Sequence, residues 1–173
     1  MHRTALIISF FLLLAVTIPT ADGGVGDSRT LSFYHTHTHK TLTVTYYENG
    51  DYVPGSLADL RVFLSDWRNG HQYPIDPGVM DILWEIQQVT ENDGAYEVIS
   101  AYRSPDTNTL LRKNSKGVAK KSQHLKGKAI DVRLPGTDTS RLRDIALELR
   151  LGGVGYYEQS DFVHVDTGRV RRW

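Results

Sequence analysis

The chain has 173 residues, and its 20 basic side chains balance its 20 acidic ones, so the formal net charge is zero. A neutral chain has no basic field to attract nucleic acid, and we expect no nucleic-acid partner. The chain contains no cysteine, which excludes a disulfide framework and a cysteine-based zinc site. Without its N-terminal leader about 150 residues remain, which is enough for one domain with a sizeable core.

The N-terminal segment predicts export. A weakly basic start precedes an apolar run over residues 5–18, and small residues follow it. This pattern is typical of a secretory signal, which we place at residues 1–21. The run is shorter than the roughly 20 residues of a comfortable membrane span. An uncleaved anchor is the alternative, and it would be the protein's only membrane contact. Either way we expect the domain in the periplasm or cell envelope.

Small and polar residues at 22–30 predict a linker, and residues 31–173 then form the domain. The alternation within 31–47 favours a two-stranded hairpin. Helical spacing of apolar residues predicts four helices, over 56–67, from Asp76-Pro77 to the break at 92–94, from Ser104-Pro105, and from Thr139 or Ser140 to the glycines at 152–153. Short strands are predicted at 98–102, 129–134 and 162–166. Helices come first and strands cluster late, which indicates an α+β domain with a small antiparallel sheet.

Two late strands and the loop before the first of them hold residue types that bind metals. His124, Asp131 and His164 form a set of two imidazoles and one carboxylate, a ligand class that binds zinc and leaves one position open for water. A tight turn at Gly127 followed by an alternating strand lets Asp131 project beside His124. A second, antiparallel strand would bring His164 to this pair. The small sheet is therefore predicted to carry one zinc ion, with helices packed around it.

The residues around these ligands resemble a known family. Ser-x-His-x-x-Gly-x-Ala-x-Asp at 122–131 is similar to the zinc signature of the superfamily that contains lysostaphin, the D-Ala-D-Ala metallopeptidases and hedgehog proteins. The resemblance narrows to the murein endopeptidase K-like zinc peptidases in four further segments, at 100–104, 112–124, 152–157 and 162–168. It implies a zinc-dependent endopeptidase that hydrolyses peptide crosslinks of peptidoglycan, with the bond between two meso-diaminopimelate residues as the specific expectation.

Two other functions stay open from the sequence. The same superfamily contains D-Ala-directed endopeptidases and carboxypeptidases, which cleave a neighbouring bond of the same peptide stems. Hedgehog-type relatives keep the zinc site but act through partner surfaces, so a non-catalytic zinc-containing binding module is the second alternative. The peptide stems of peptidoglycan are the expected partner in the enzymatic interpretations.

The resemblance also implies residues that contact the substrate. Arg103 follows a predicted strand, and a guanidinium can hold a carboxylate of the peptide stem with two parallel hydrogen bonds. Its alternative is a structural ion pair with Asp106 or Asp161. Tyr156 and Tyr157 are candidates for lining the cleft, with core packing as their alternative. The final tryptophan of the sequence has no predicted role beyond docking the chain end.

Two aspartates are candidates for the general base. Some relatives place a glutamate three residues before the last ligand and others place a histidine two residues before it; here those positions hold Asp161 and Phe162. Phenylalanine cannot accept a proton. Asp166 shares the predicted strand face of His164, so it is favoured, either as the base or as a partner that holds His164. Asp161 is the second candidate.

The run His35-Thr-His37-Thr-His39 offers a rival metal site. On a strand, its alternating histidines would face one way. The family site does not use this segment, so we predict a solvated strand face with weak adventitious metal binding. His71 is expected in a loop between helices, without a role in the site.

Overall fold

The structure is a computed structural model that describes residues 27–115 and 117–173. The predicted signal at 1–21 lies outside the described residues, as does the linker up to residue 26. The end of the predicted linker belongs to the first strand, which begins at Ser28. Within the described ranges, no helix has the length and apolar character needed to cross a membrane.

Strands and helices alternate along the described chain. The strands are β1 (Ser28–His35), β2 (Thr41–Glu48), β3 (Asp51–Tyr52), β4 (Tyr96–Ser100), β5 (Ala129–Arg133), β6 (Gly153–Tyr157), β7 (Phe162–Asp166) and β8 (Arg171–Arg172). The helices are α1 (Pro54–Phe63), α2 (Pro77–Thr90), α3 (Pro105–Asn114) and α4 (Thr139–Leu149).

The strands form one mixed sheet in the order β3-β2-β1-β4-β5-β7-β6-β8. β1 pairs with β4 and β6 pairs with β8 in parallel, whereas the other neighbours are antiparallel. The predicted combination of helices with a sheet is confirmed, but the prediction of a small antiparallel sheet is wrong. A parallel pair needs a long crossover, and here α1 and α2 lie between β1 and β4. This pairing joins the early hairpin to the late strands, which no local pattern indicates.

Three helices cover one face of the sheet. α1 packs on β2, α2 on β1 and β7, and α4 on β6 and β7. Ile130 and Val132 of β5 belong to this buried core. Because successive side chains of a strand point to opposite faces, Asp131 points to the other face. The helices therefore form the core on one side of the sheet and leave the predicted ligands on the other.

Two helix starts follow their predicted caps, Asp76 for α2 and Ser104 for α3. The predicted cap of α4 at Thr139 or Ser140 is wrong, because Thr139 is already the first helical residue and Asp138 precedes it without a side-chain capping bond. The Asp76 carboxylate accepts a hydrogen bond from the Gly78 N–H at 3.0 Å, and Ser104 accepts one from the Thr107 N–H at 3.2 Å. The first helix ends at Phe63, four residues before the predicted end at Trp67. The buried Asp66 explains the early end, because its carboxylate accepts backbone N–H groups of the following turn and of the loop before α3.

The histidine run does not form a strand face. β1 ends at His35, which is buried, and the chain turns over the next residues. The His37 ring stacks on Trp67 at 4.0 Å, whereas His39 Nδ1 lies 2.8 Å from the Tyr34 hydroxyl. The predicted solvated strand face is therefore wrong. The His35 and His37 rings lie edge to face with centroids 6.1 Å apart, whereas His39 points away to Tyr34, so the turn breaks up the common face that a strand would give.

His35 should make the protein less stable in acid. Burial, together with the nearby His37, lowers the pKa of His35 to about 4 from its ordinary 6.5. Between these values the unfolded chain binds the proton more readily than the folded one, so the free energy of unfolding should fall as the pH drops, by at most about 3 kcal/mol. His35→Phe should remove this part of the slope in urea unfolding between pH 7 and pH 4. His71→Gln, in an exposed loop, is the control and should keep the parent slope. An equally steep slope in His35→Phe would contradict the prediction.

Candidate metal centre and substrate cleft

The sheet register brings two of the predicted ligands together. β5 and β7 are antiparallel neighbours, and Asp131 lies directly opposite His164. Side chains at such positions have their Cβ atoms about 4.5–5.5 Å apart. This is the juxtaposition that the alternating patterns predict.

The third ligand comes from the turn before β5. His124 lies in a short 3-10 turn, Gln123–Lys126, and its backbone N–H donates to the Ser122 hydroxyl at 3.3 Å. Gly127 ends this turn with a φ of 63°, a left-handed conformation that favours glycine. A Cβ at Gly127 would also collide with the Pro74 carbonyl oxygen. Glycine thus lets the chain turn sharply into β5, with His124 beside the strand.

The three ligand atoms converge at one point. His124 Nε2 lies 3.1 Å from His164 Nδ1 and 3.3 Å from Asp131 Oδ1, and the last two atoms are 2.8 Å apart. All three side chains are buried. Zinc bonds of about 2.0–2.1 Å in tetrahedral geometry place two ligand atoms about 3.3 Å apart. The observed separations therefore suit one metal ion.

Hydrogen bonds outside the cluster fix which nitrogens carry protons. His124 Nδ1 lies 2.6 Å from the Ala101 carbonyl oxygen, which can only accept, so Nδ1 donates. His164 Nε2 lies 2.9 Å from the Asp166 carboxylate and donates to it in the same way. In the neutral rings, the two nitrogens that face each other then carry lone pairs. Together with Asp131 they form a set of acceptors that a cation satisfies.

The charge states also suit a metal. Burial alone would raise the pKa of Asp131, but the two imidazoles outweigh it and hold that pKa below its usual range. Burial lowers the pKa of His124 despite the neighbouring carboxylate. Burial also acts to lower the pKa of His164, but its hydrogen bonds to Asp131 and Asp166 raise it. A metal competes with the proton for this last ring, so metal affinity should fall as the pH falls.

Asp166 contacts His164 from the side away from the other ligands. Its carboxylate is fully buried and accepts the His164 Nε2–H at 2.9 Å. Arg171 donates to both oxygens, at 2.9 and 2.6 Å. Backbone N–H groups of Gly153 and Gly168 add bonds of 3.3 and 2.8 Å. Both oxygens are therefore engaged, and Asp166 does not line the cleft.

The structure does not bring Asp161 to the ligands. It follows β6 in a left-handed conformation with a φ of 49°. Its exposed carboxylate accepts hydrogen bonds from Arg133 at 3.2 Å and from the Thr139 hydroxyl at 2.8 Å. These partners hold it at a separate surface depression.

A cleft of about 280 Å³ opens at the ligand set, and Arg103 lines it. The backbone N–H of Arg103 donates to the His124 carbonyl at 3.1 Å, which ties the segment after β4 to the metal site. Its Nε is buried, and no described residue offers it a hydrogen-bond partner. Among the described residues no carboxylate lies within 4 Å of its guanidinium, so neither Asp106 nor Asp161 is its partner.

The structure places Tyr157, and not Tyr156, in the cleft. The two are neighbours in β6 and so point to opposite faces. Tyr156 packs under the Arg143 guanidinium at 4.6 Å, on the side of α4. Trp173, for which the sequence predicted only chain docking, also lines the cleft, with its ring 5.1 Å from His164. No local pattern marked this residue, because its position depends on pairing between β6 and the end of the chain.

Comparison with known proteins assigns the family. A family model described as peptidoglycan L,D-endopeptidase MepK matches residues 24–173. The chain belongs to this family. The peptidoglycan L,D-endopeptidase MepK of Escherichia coli K12 is 42% identical over 175 aligned positions, which cover 99% of this chain and 96% of that protein. The probable peptidoglycan L,D-endopeptidase MepK of Haemophilus influenzae is 39% identical over 146 positions, 84% of this chain and 78% of that protein.

The search of solved structures found no match. Membership in the MepK family confirms the resemblance read from the sequence and the predicted enzyme class, a peptidase. The family also agrees with a metal at the buried His124, Asp131 and His164.

Proposed function

We propose that this chain is a zinc-dependent endopeptidase that hydrolyses peptide crosslinks of peptidoglycan in the periplasm or cell envelope. The convergence of His124 Nε2, His164 Nδ1 and Asp131 Oδ1 beside an open cleft supports this function most strongly. Relatives over nearly the whole chain carry the name L,D-endopeptidase. The crosslink between two meso-diaminopimelate residues joins an L centre to a D centre, and we propose that this is the bond cleaved.

Zinc is the metal that suits these ligands best. Two imidazoles and one carboxylate are a donor set of catalytic zinc sites, which keep one position open. When bound, zinc supplies Lewis acidity, which polarises a peptide carbonyl and lowers the pKa of water to about 7. The protein holds each of the two histidine ligands in the tautomer whose lone pair faces the metal. The Ala101 carbonyl does this for His124, and Asp166 does it for His164.

We assign the other predicted residues from their contacts. Arg103 binds a carboxylate of the peptide stem, since its guanidinium lines the cleft without an acidic partner among the described residues. Asp166 acts through His164 as a positioning residue, because both of its oxygens are engaged. Asp161 takes no part in the reaction, and Tyr157 replaces Tyr156 as the tyrosine that contacts substrate.

Cleavage of defined muropeptides tests the function. The purified full chain is incubated with dimers crosslinked through two diaminopimelate residues and with dimers crosslinked through D-alanine, with and without a chelator. We expect mass analysis to show cleavage of the first substrate only, loss of cleavage with chelator, and recovery with added zinc. Cleavage of the D-alanyl dimer alone would show that the chain is a D-Ala-directed peptidase instead. Intact dimers under every condition would indicate a binding module.

Arg103→Lys tests carboxylate recognition. Lysine keeps the charge but lacks the planar fork that holds a carboxylate with two bonds. Loss of one charge-assisted hydrogen bond, about 1.5–3 kcal/mol, should raise KM by about tenfold or more, with zinc content unchanged. Arg61→Lys, at an exposed position of α1, is the matched control and should keep the parent KM. An unchanged KM in Arg103→Lys would return Arg103 to a structural role.

A further inference from the structure

Trp173 is held in one position beside the metal ligands although about half of it is exposed, 51%. Its backbone continues the pairing with β6, because the Trp173 N–H donates to the Val154 carbonyl at 3.3 Å and the Tyr156 N–H donates to the Trp173 carbonyl at 3.2 Å. Its indole N–H donates to the Tyr157 hydroxyl at 3.0 Å. The Arg171 guanidinium lies 4.8 Å from the ring.

Gly155 makes room for this indole. A Cβ built on Gly155 would lie 2.6–2.8 Å from three atoms of the Trp173 ring, and these are its nearest neighbours. The ring therefore lies against the bare backbone of β6. The indole is therefore fixed by four contacts. They are the backbone pairing with β6, the hydrogen bond to Tyr157, the Arg171 guanidinium and the backbone of Gly155. Its remaining surface is free to line the cleft.

Two further rings extend this surface. Tyr157 and Phe162 stack with their centroids 4.5 Å apart, and both line the cleft with Trp173. We call these three residues the aromatic wall. Held aromatic rings offer a large apolar contact at a low cost in conformational entropy. The wall can therefore bind an aliphatic group of a ligand.

The sheet order places a cation across the cleft from the wall. Arg103 follows β4, Asp131 and His164 lie on β5 and β7, and the wall belongs to β6, β7 and the residue after β8. The ligand set thus lies between Arg103 and Trp173. The cleft lining that the structure describes holds Arg103 and Lys121 as cations without an acidic partner among the described residues, and Asp131 as its carboxylate, whereas the Arg171 guanidinium is paired with Asp166. This surface therefore suits a peptide that carries carboxylates and has long aliphatic side chains.

We propose that the aromatic wall is a subsite for the aliphatic side chain of a diamino-dicarboxylic residue, and that Trp173 determines specificity there. This inference rests on the proposed function. A diaminopimelate residue has straight methylene carbons that can pack on the indole, and it also ends in charged groups. In this arrangement Arg103 holds a carboxylate of one diaminopimelate residue, and the methylene carbons of the other pack on the aromatic wall. The peptide bond that joins the two residues then lies over His124, Asp131 and His164.

Three variants test the subsite through kinetics. Trp173→Ala removes the ring and should raise KM for the diaminopimelate-crosslinked dimer by about tenfold, with a smaller change in kcat. Trp173→Phe should recover part of the loss. Gly155→Ala displaces the indole without removing it and should resemble Trp173→Ala. Gly55→Ala, where a Cβ has nothing within 4 Å, is the matched control, and zinc content should stay at the parent level in all of them.

A binding measurement separates this inference from the proposed function. The chain has three tryptophans, so an uncrosslinked stem peptide containing diaminopimelate should change the fluorescence of the parent and of Trp84→Phe, but not of Trp173→Phe. A parent that cleaves dimers while the Trp173 and Gly155 variants keep its KM would overturn the subsite alone. A parent that cleaves no dimer would overturn the function, whereas Trp173-dependent fluorescence would still support a peptide subsite.

Discussion

His164→Ala should lose the bound metal and nearly all hydrolytic activity. The substitution removes one of three converging ligand atoms and leaves two, Nε2 of His124 and Oδ1 of Asp131. Lewis-acid stabilisation is worth several kcal/mol, so its loss should lower kcat/KM by at least roughly 10³-fold. Zinc content should fall from about one per chain to near zero after dialysis, as measured by metal analysis.

The control for this variant is another histidine in the same protein. His71→Ala changes an exposed side chain in the loop between α1 and α2, and it should keep the parent zinc content and rate. Circular dichroism should show that both variants fold. His164→Ala with stoichiometric zinc and parent turnover would mean that the metal is held elsewhere.

Asp166→Asn should weaken metal binding rather than abolish the chemistry. The carboxylate accepts hydrogen bonds at both oxygens, from His164 on one and from Arg171 on both. An asparagine has one acceptor oxygen, so either the ring or the guanidinium loses its partner. Loss of the group that orients a metal-binding histidine typically costs about 10–100-fold in metal affinity. We therefore expect low activity at limiting zinc, recovery in excess zinc, and a lower free energy of unfolding.

Asp161→Asn is the matched control for Asp166→Asn. Its carboxylate contacts Arg133 and Thr139 at the surface, so zinc affinity and rate should remain close to the parent. Proton transfer by a positioned side chain is typically worth about 10²–10⁴-fold. A loss of this size in Asp166→Asn at saturating zinc would make Asp166 the base. The same loss in Asp161→Asn, with zinc bound, would instead assign that role to Asp161.

The alternation of β5 and β7 was sufficient to anticipate how Asp131 and His164 meet, because side-chain direction in a strand is a local property with period two. The same alternation placed Asp166 on the face of His164 but left its role open. The positioning role that we propose for Asp166 depends on Arg171 and two backbone N–H groups, which bind the carboxylate from outside the strand. Tyr156 and Tyr157 had to face opposite ways, yet only the packing of α4 showed which one reaches the cleft.

The sequence by itself determined the family, the helix starts at Asp76 and Ser104, and the residues that the structure brings together as a ligand set. These features depend on short-range caps, turns and alternation. Only the tertiary structure decided the eight-stranded mixed sheet, the burial of His35 and the placing of Trp173 beside His164. Each of these depends on contacts between residues far apart in the chain, whose free energy is gained only when β1 pairs with β4 and β6 pairs with β8.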